Sequence, residues 1–432
     1  MFPSRFKRIA SGTAVAIAVT LAIAGCSSTP SSTSNGSGGA ANLSLMIWDP
    51  AQTAGVQKAV DGFEAKNPKI KVSLQQVPQD QYYTKLDASL GAGEGPDVMW
   101  QSSAIPVYVK GGALEPLDSY IKKSGLKLSD YAPIISNLYK INGKQYGIAK
   151  DQDTWTFVYN SAVFKKLGMT DVPTNNWTWD DMVKIAKEVK SKQTSSTDVP
   201  MSYDRAFNNG VASVIHQLGG KVVDNNKGVV SSPEGTKALT MMKDLQDQGL
   251  IPVVANSTDF NPVSALISGT AAMAEIPSWN LSLLSKSTAP AGTFHVVRLP
   301  SVNGKWLTDT NGLSYVMNAN SAHKDASWKL IQYLTSTEGA VLHAEGGASI
   351  PANTAKSTLD AYVTANSNLA GLRDAISAAH QQMYLRTSSE YPPVRGPIPQ
   401  IESTQMGPFY AGKISASDVG KGIDQIIDKA LG

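Results

Sequence analysis

A single cysteine, Cys26, occurs in 432 residues, so no disulfide can staple this chain and its folded body must be held by burial alone. About 400 residues follow that cysteine, more than one core accommodates, which predicts two lobes. Arg5, Lys7 and Arg8 give the chain a basic start, and residues 9–23 are an apolar run broken only by small residues. This is the layout of a secretory leader. The run is too short and too rich in Ala, Gly and Thr for a membrane-spanning helix.

Ile23-Ala24-Gly25-Cys26 resembles a bacterial lipobox. That resemblance implies cleavage before Cys26 and a lipid on its sulfur. Residues 27–41 are almost entirely Ser, Thr, Gly, Asn, Pro and Ala. Such a stretch buries too little apolar surface to offset its chain entropy, so it reads as a flexible tether. The expected organisation is a leader over 1–25, a linker over 26–41 and a folded body from Asn42 onward. The formal charge of +3 is carried by the three basic residues of the leader, leaving the body neutral. A neutral body without a basic stripe argues against a nucleic-acid partner.

Periodicity in the body alternates between strand and helix. Residues 43–48 read as a strand, and Val56, Val60 and Phe63 fall at helical spacing until Pro68. Residues 70–74 alternate as a strand, 79–90 form a helix ended by Gly91-Ala92-Gly93, and 97–100 are a third strand. This rhythm predicts an open α/β sheet with parallel strands. Asn142-Gly143 and Asn303-Gly304 mark hairpin turns. A crossing between lobes is expected at the polar run Lys150-Asp151-Gln152-Asp153, before a strand over 154–159. Helices are expected near 180–192, 207–218, 233–248 and 323–335, and strands at 271–276, 293–299 and 313–317. The tail over 356–390 reads as mostly helical, followed by a proline-stiffened loop over 391–397.

Of eight tryptophans, Trp328 sits in an amphipathic helix and reads as core, while Trp306 is ambiguous. The other six are Trp48, Trp100, Trp155, Trp177, Trp179 and Trp279, each at or near a predicted strand end or in a loop. Most have a carboxylate or amide beside them, as in Trp48-Asp49, Trp100-Gln101 and Trp279-Asn280. Open α/β sheets bind ligands outside the carboxyl ends of their strands. A flat ring covers the apolar face of a sugar while the polar neighbour takes its hydroxyls. Trp177 and Trp179 have a simpler alternative, packing the loop that opens the helix at Asp180.

These residues resemble the extracellular solute-binding proteins of bacterial ABC importers, in the sugar-binding group of the maltose-binding type. The markers are Leu45-Met46-Ile47-Trp48-Asp49, Phe63-Glu64-Ala65-Lys66-Asn67-Pro68, Gly95-Pro96-Asp97-Val98 and Gly112-Ala113-Leu114-Glu115-Pro116-Leu117. Tyr159-Asn160, Trp177-Thr178-Trp179-Asp180-Asp181, Asn311-Gly312-Leu313-Ser314 and Gly347-Ala348-Ser349-Ile350-Pro351-Ala352 follow in order. The resemblance implies a periplasmic-binding-protein-like α/β fold: two lobes, each an open sheet flanked by helices, with the ligand cleft between them. It implies lobes over 42–152 with 307–352 and over 153–306 with 353–432, with crossings near 150–156, 303–311 and 350–355. It implies capture of a sugar outside the cell and delivery to permease subunits by lobe closure, as a monomer held to the membrane only by its lipid.

Position by position, the resemblance points to Asp153 as an acidic sugar ligand, Trp279 as a stacking ring, and Trp48, Asp49 and Gln52 as a cleft-lining loop. Gln101 and Ser102 stand where polar ligands follow the third strand, beside Trp100. Gly312 and Ser314 bring backbone to the pocket, and Trp155 lies near the hinge. Arg395 is read as a hydroxyl clamp, and Asp80 and Tyr82 as rim residues. The maltose-type pattern has an acidic residue where this chain has Gln101-Ser102-Ser103, which leaves the sugar open.

A secreted glycoside hydrolase is the rival from another class. It needs two carboxyl groups flanking one bond, with Asp49, Asp153 and Glu275 as candidates. Nothing else favours it: there is no G-x-S-x-G elbow, the five histidines lack metal-ligand spacing, and no cofactor or metal motif is present. A phosphorylated or other solute is a second rival, for which Arg205 and Arg395 are the candidate cleft arginines. A structural surface lipoprotein is a third.

Overall fold

A computed structural model describes residues 39–253 and 260–432. The leader, Cys26 and nearly all of the linker lie outside the described residues. Residues 40–432 hold together as one unit.

The first lobe opens with β1 (Ala41–Ile47), α1 (Thr53–Lys66), β2 (Ile70–Gln76), α2 (Gln79–Gly91) and β3 (Val98–Gln101). Asn142 and Gly143 take positive φ of 50° and 80°, the geometry a two-residue hairpin turn requires, and lead towards β4 (Gly147–Ala149). The chain then enters the second lobe with β5 (Trp155–Asn160), α3 (Trp179–Lys192), β6 (Val199–Ser202), β7 (Ala271–Pro277) and β8 (Phe294–Val297). It returns through β9 (Thr308–Thr310) to β10 (Ser314–Met317) and α4 (Lys324–Thr335). The connections between strands of the two main sheets thus span 150–154 and 298–313.

The first sheet has the order β2-β1-β3-β10-β4 and the second β8-β5-β7-β6. The expectation of parallel strands holds for β1 with β2 and β3, where α1 and α2 carry the chain back over the sheet. It holds for β7 with β6 as well and is corrected at the remaining pairs of the two sheets. β10 runs antiparallel to β3 and β4, and β5 antiparallel to β7 and β8. These strands are reached by a hairpin or from the other lobe, so no helical crossover fixes their direction.

Each sheet has its own core. Leu45, Ile47, Val98, Trp100 and Tyr315 pack with Trp328 and Ile331 of α4 in the first lobe. In the second, β5 places Phe157 and Tyr159 in one core and Val158 in another on the opposite face, the period-two alternation of a strand buried on both sides. The predicted helical tail is interrupted by β11 (Met383–Leu385), which pairs in parallel with β9 at the lobe junction. The loop over 391–397 contains a 3-10 turn, Pro392–Arg395.

Trp177 and Trp179 belong to the second core, and the Trp177 indole donates to the Arg298 carbonyl at 2.9 Å. They hold the start of α3, where Thr178 and Asp181 form a reciprocal capping box. Thr178→Ala is expected to cost about 1 kcal/mol, read as a lowered urea midpoint with ligand affinity unchanged.

Candidate functional site at the lobe junction

Strand ends of both sheets meet the two crossings here. After β1, the Asp49 carboxylate accepts from the Ala51 N–H and from Gln52 Nε2, each at 2.9 Å, closing a 3-10 turn. Gln52 Oε1 accepts from Lys150 Nζ at 2.8 Å. Lys150 also pairs with Asp151 and lies 4.2 Å from the centre of the Trp100 ring. Burial pulls the lysine pKa down, and Asp151 and Asp49 work against that. Asp151 accepts the Leu313 N–H at 2.7 Å and the Ser349 hydroxyl at 3.0 Å. Gly312 is needed in this packing: a Cβ there would sit 2.3 Å from the Asp151 carbonyl oxygen. One buried lysine thus joins the predicted Asp49, Gln52 and Trp100 to the crossing, a role its sequence position did not suggest. The only signal was a charged run between two apolar strands.

Two residues further on, Asp153 accepts the Asn311 N–H at 2.6 Å and faces Arg386 Nη2 at 3.4 Å. Arg386 Nε donates to Asp309 at 2.5 Å. Burial pushes the Asp153 pKa up to about 6, against the pull of Arg386, with Asp309 adding to the rise. Asp309 is raised by burial too. Burial opposes the charge on Arg386, but Asp153 and Asp309 outweigh it and hold the guanidinium above its ordinary range. Asn311 ties the lobes together, because its side chain bonds Ser102 after β3 at 3.1 Å and accepts from Ser389 at 2.8 Å. Asp309, Asn311, Arg386 and Ser389 were missed. Arg386 was hidden in a stretch whose composition reads as helix.

The aromatic residues divide. Trp155 and Trp279 meet edge to face at 5.6 Å and 78°, and Arg386 lies 5.8 Å from the Trp279 ring centre. Trp279 is half-buried, and the buried Trp155 has no partner for its Nε1. Trp48 contacts Trp100 and Tyr82 edge-on at 5.3 and 4.9 Å. Trp100 is wholly enclosed in the first core. The expectation that Tyr82 lies on the rim is corrected: it is completely buried, and its hydroxyl donates to the Trp100 carbonyl at 2.9 Å. Tyr82 and Leu86 form the inward face of α2, so Tyr83, about 100° round the helix, is the aromatic that meets Arg395, at 4.7 Å. Asp80 is exposed in the first turn of α2.

Gln101 is buried beside the Tyr108 hydroxyl, which donates to Asp87 at 2.5 Å. Ser314 is fully buried and donates to the Gln101 carbonyl at 3.1 Å. Arg205 is not a cleft arginine. It donates to Gln246 at 2.6 Å and lies 4.6 Å from the Tyr410 ring centre, inside the second lobe.

Behind the crossing lie more acids. Glu275 on β7 accepts the Asp204 N–H at 2.9 Å, and Glu402 accepts the Phe207 N–H at 2.7 Å. Burial raises Glu275 well above its usual range and brings Glu402 up to about 7. A folded-state Glu402 that keeps its proton to higher pH stabilises the native state fully below about pH 4.5 and loses that contribution as pH rises through about 7. Glu402→Gln is therefore expected to flatten the fall in urea midpoint between pH 5 and 8. An unchanged slope would assign that fall to other groups. Among the described residues, no group of His, Cys, Asp and Glu is arranged to hold a metal.

A cavity of about 710 Å³ opens beside this network, with Ser102, Ser103 and Ser389 on its polar wall. The tryptophans do not line it.

Two sheet-based lobes, a junction where the chain passes between them and a cavity on it are the build of a two-lobed ligand-binding protein. Residues 48–341 match the family model of the bacterial extracellular solute-binding proteins, and the chain belongs to that family. It is thus an extracytoplasmic binding protein of a transport system and not an enzyme. It is 28% identical over 249 residues to the arabinooligosaccharide-binding protein of Bacillus subtilis, covering 54% of this chain and 53% of that one. It is 25% identical over 299 residues to the lactose-binding protein of Rhizobium radiobacter, covering 66% and 68%. Its fold is similar to that of an ABC substrate-binding protein of Listeria monocytogenes in complex with cycloalternan, with a TM-score of 0.79 and 23% identity over 91% of this chain and 99% of that one.

Proposed function

We propose that this protein captures a sugar outside the cell and hands it to the permease subunits of an ABC importer when its lobes close. The observation that carries the reading is the Asp153–Arg386–Asp309 network at the lobe junction, with Trp279 against the same arginine. It combines fixed charged hydrogen-bonding groups with a half-buried ring, the pair of features a sugar needs. The ligands of the Bacillus and Rhizobium relatives support the same class.

Asp49, Gln52, Gln101, Ser102, Trp48, Trp155, Gly312, Ser314 and Arg395 are proposed as further ligand contacts or as supports for them. The lobes are read as 42–152 with 307–352 and 153–306 with 353–432. The protein works as a monomer, tethered through lipid on Cys26 and the linker that follows. Ligand contacts that form only in the closed state drive closure.

Thermal unfolding of the protein against mono-, di- and trisaccharides, polyol phosphates and amino acids tests this. A ligand at a hundred times its Kd adds about 2.7 kcal/mol, a shift of several degrees. A shift with one sugar group, and no products afterwards, supports the reading. A shift only with a phosphate or an amino acid overturns the choice of ligand and keeps the fold.

A further inference from the structure

The cavity at the junction has two kinds of wall. Its polar side, Ser102 and Ser389, is joined through Asn311 to the Asp153 network. The rest is mainly carbon: Pro106 and Val107 after β3, Leu138 and Ile141 before β4, and Leu385 and Pro392 from the tail. The charged groups on its wall, Lys110 and Glu390, are exposed. Among the described residues, no aromatic ring lines it. Val107 is 69% exposed, and it is the one strongly exposed large apolar residue that lines this cavity among the described residues.

Resting on the sugar reading above, we infer that the ligand is amphipathic: a sugar carrying an apolar substituent, such as an aryl or alkyl aglycone, that occupies this carbon-lined cavity. A further sugar ring is a poor occupant. On the carbon side of the cavity its hydroxyls would leave water for proline, valine, leucine and isoleucine, away from Ser102, Ser103, Asn137 and Ser389, which is unfavourable. An aryl or alkyl group loses nothing by the same transfer and gains by removing the exposed Val107 surface from water. At about 710 Å³ the space is in the range of pockets that enclose drug-sized molecules. Its continuity with Ser102 and Ser389 places the substituent next to the groups that would read the sugar. The substituent therefore selects among ligands sharing one sugar.

The test is isothermal titration with paired methyl and 4-nitrophenyl glycosides of glucose, galactose and arabinose, on the wild type and on Val107→Asp. In at least one pair the nitrophenyl glycoside is expected to bind tenfold or more tightly than the methyl glycoside. Val107→Asp is expected to bring that ratio close to one, with thermal unfolding checking that the variant folds. Equal affinities within every pair that binds would overturn this inference and leave the sugar reading standing. A ratio that survives Val107→Asp, Leu138→Gln and Leu385→Gln would place the substituent elsewhere and overturn it too. If no glycoside of either kind binds, this inference falls, and the sugar reading is decided by the saccharide panel above.

Discussion

Replacing Arg386 with methionine is expected to lower stability at neutral pH by about 3–5 kcal/mol, the range seen when one member of a buried ion pair is removed. The arginine side chain is 13% exposed, Asp309 is 2% and Asp153 is 17%, so solvent screens this cluster little. Methionine keeps much of the volume and leaves two carboxylates facing each other without a cation. The structure has a way to reduce that cost. Burial already raises both acids, and without the guanidinium they rise further and take up protons. The loss should therefore be larger at pH 7.5 than near pH 4, because the raised acids of the variant take up protons as the pH falls. Urea unfolding at the two pH values separates this from a packing defect, which would cost the same at both. Adding Asp309→Asn to Arg386→Met should recover part of the loss at pH 7.5, because one of the two stranded charges is gone. An equal loss at both pH values would remove charge as the reason this arginine holds the β9–β11 junction together.

The first lobe was the more legible in sequence. β1, β2 and β3 are separated by amphipathic helices with clear stops at Pro68 and Gly91-Ala92-Gly93, so local pattern and topology agree there. The break between β4 and β5 was legible for a related reason, since a charged run between two apolar strands leaves one sheet before the chain enters the next. Strand direction in β4, β5 and β10 was not legible, because it depends on which lobe the chain arrives from. The candidate site divided similarly. Asp153 and Trp279 meet at the junction through Arg386, and Asp49 with Gln52 joins it through Lys150. Tyr82 and Tyr83 lie in one helical turn, and only the packing of α2 decides which turns inward. Asp309 and Arg386 could not be paired from sequence. They are 77 residues apart, and each lies on or beside a three-residue strand that exists only because its partner strand is there.

Trp279→Ala is expected to weaken ligand binding at least tenfold, about 1.4 kcal/mol, while leaving the protein folded. The ring is half-buried, so truncating it should cost less stability than the roughly 3–5 kcal/mol of a fully enclosed tryptophan. Its neighbours show why binding should suffer more than folding. One edge packs on Trp155, and Arg386, already committed to Asp309, lies 5.8 Å from its centre. The ring is thus held in place by groups that remain when it is removed. Trp279→Phe should keep most of the affinity, because a ring on the sugar face matters more than the indole N–H. The same contacts supply a direct signal, since a ligand that stacks on Trp279 changes its surroundings and should alter tryptophan fluorescence in the wild type and much less in Trp279→Ala. A Kd unchanged in the alanine variant, together with an unchanged fluorescence response, would take Trp279 out of the site. The Asp153–Arg386–Asp309 network would then be a hinge clamp that needs no ligand to explain it.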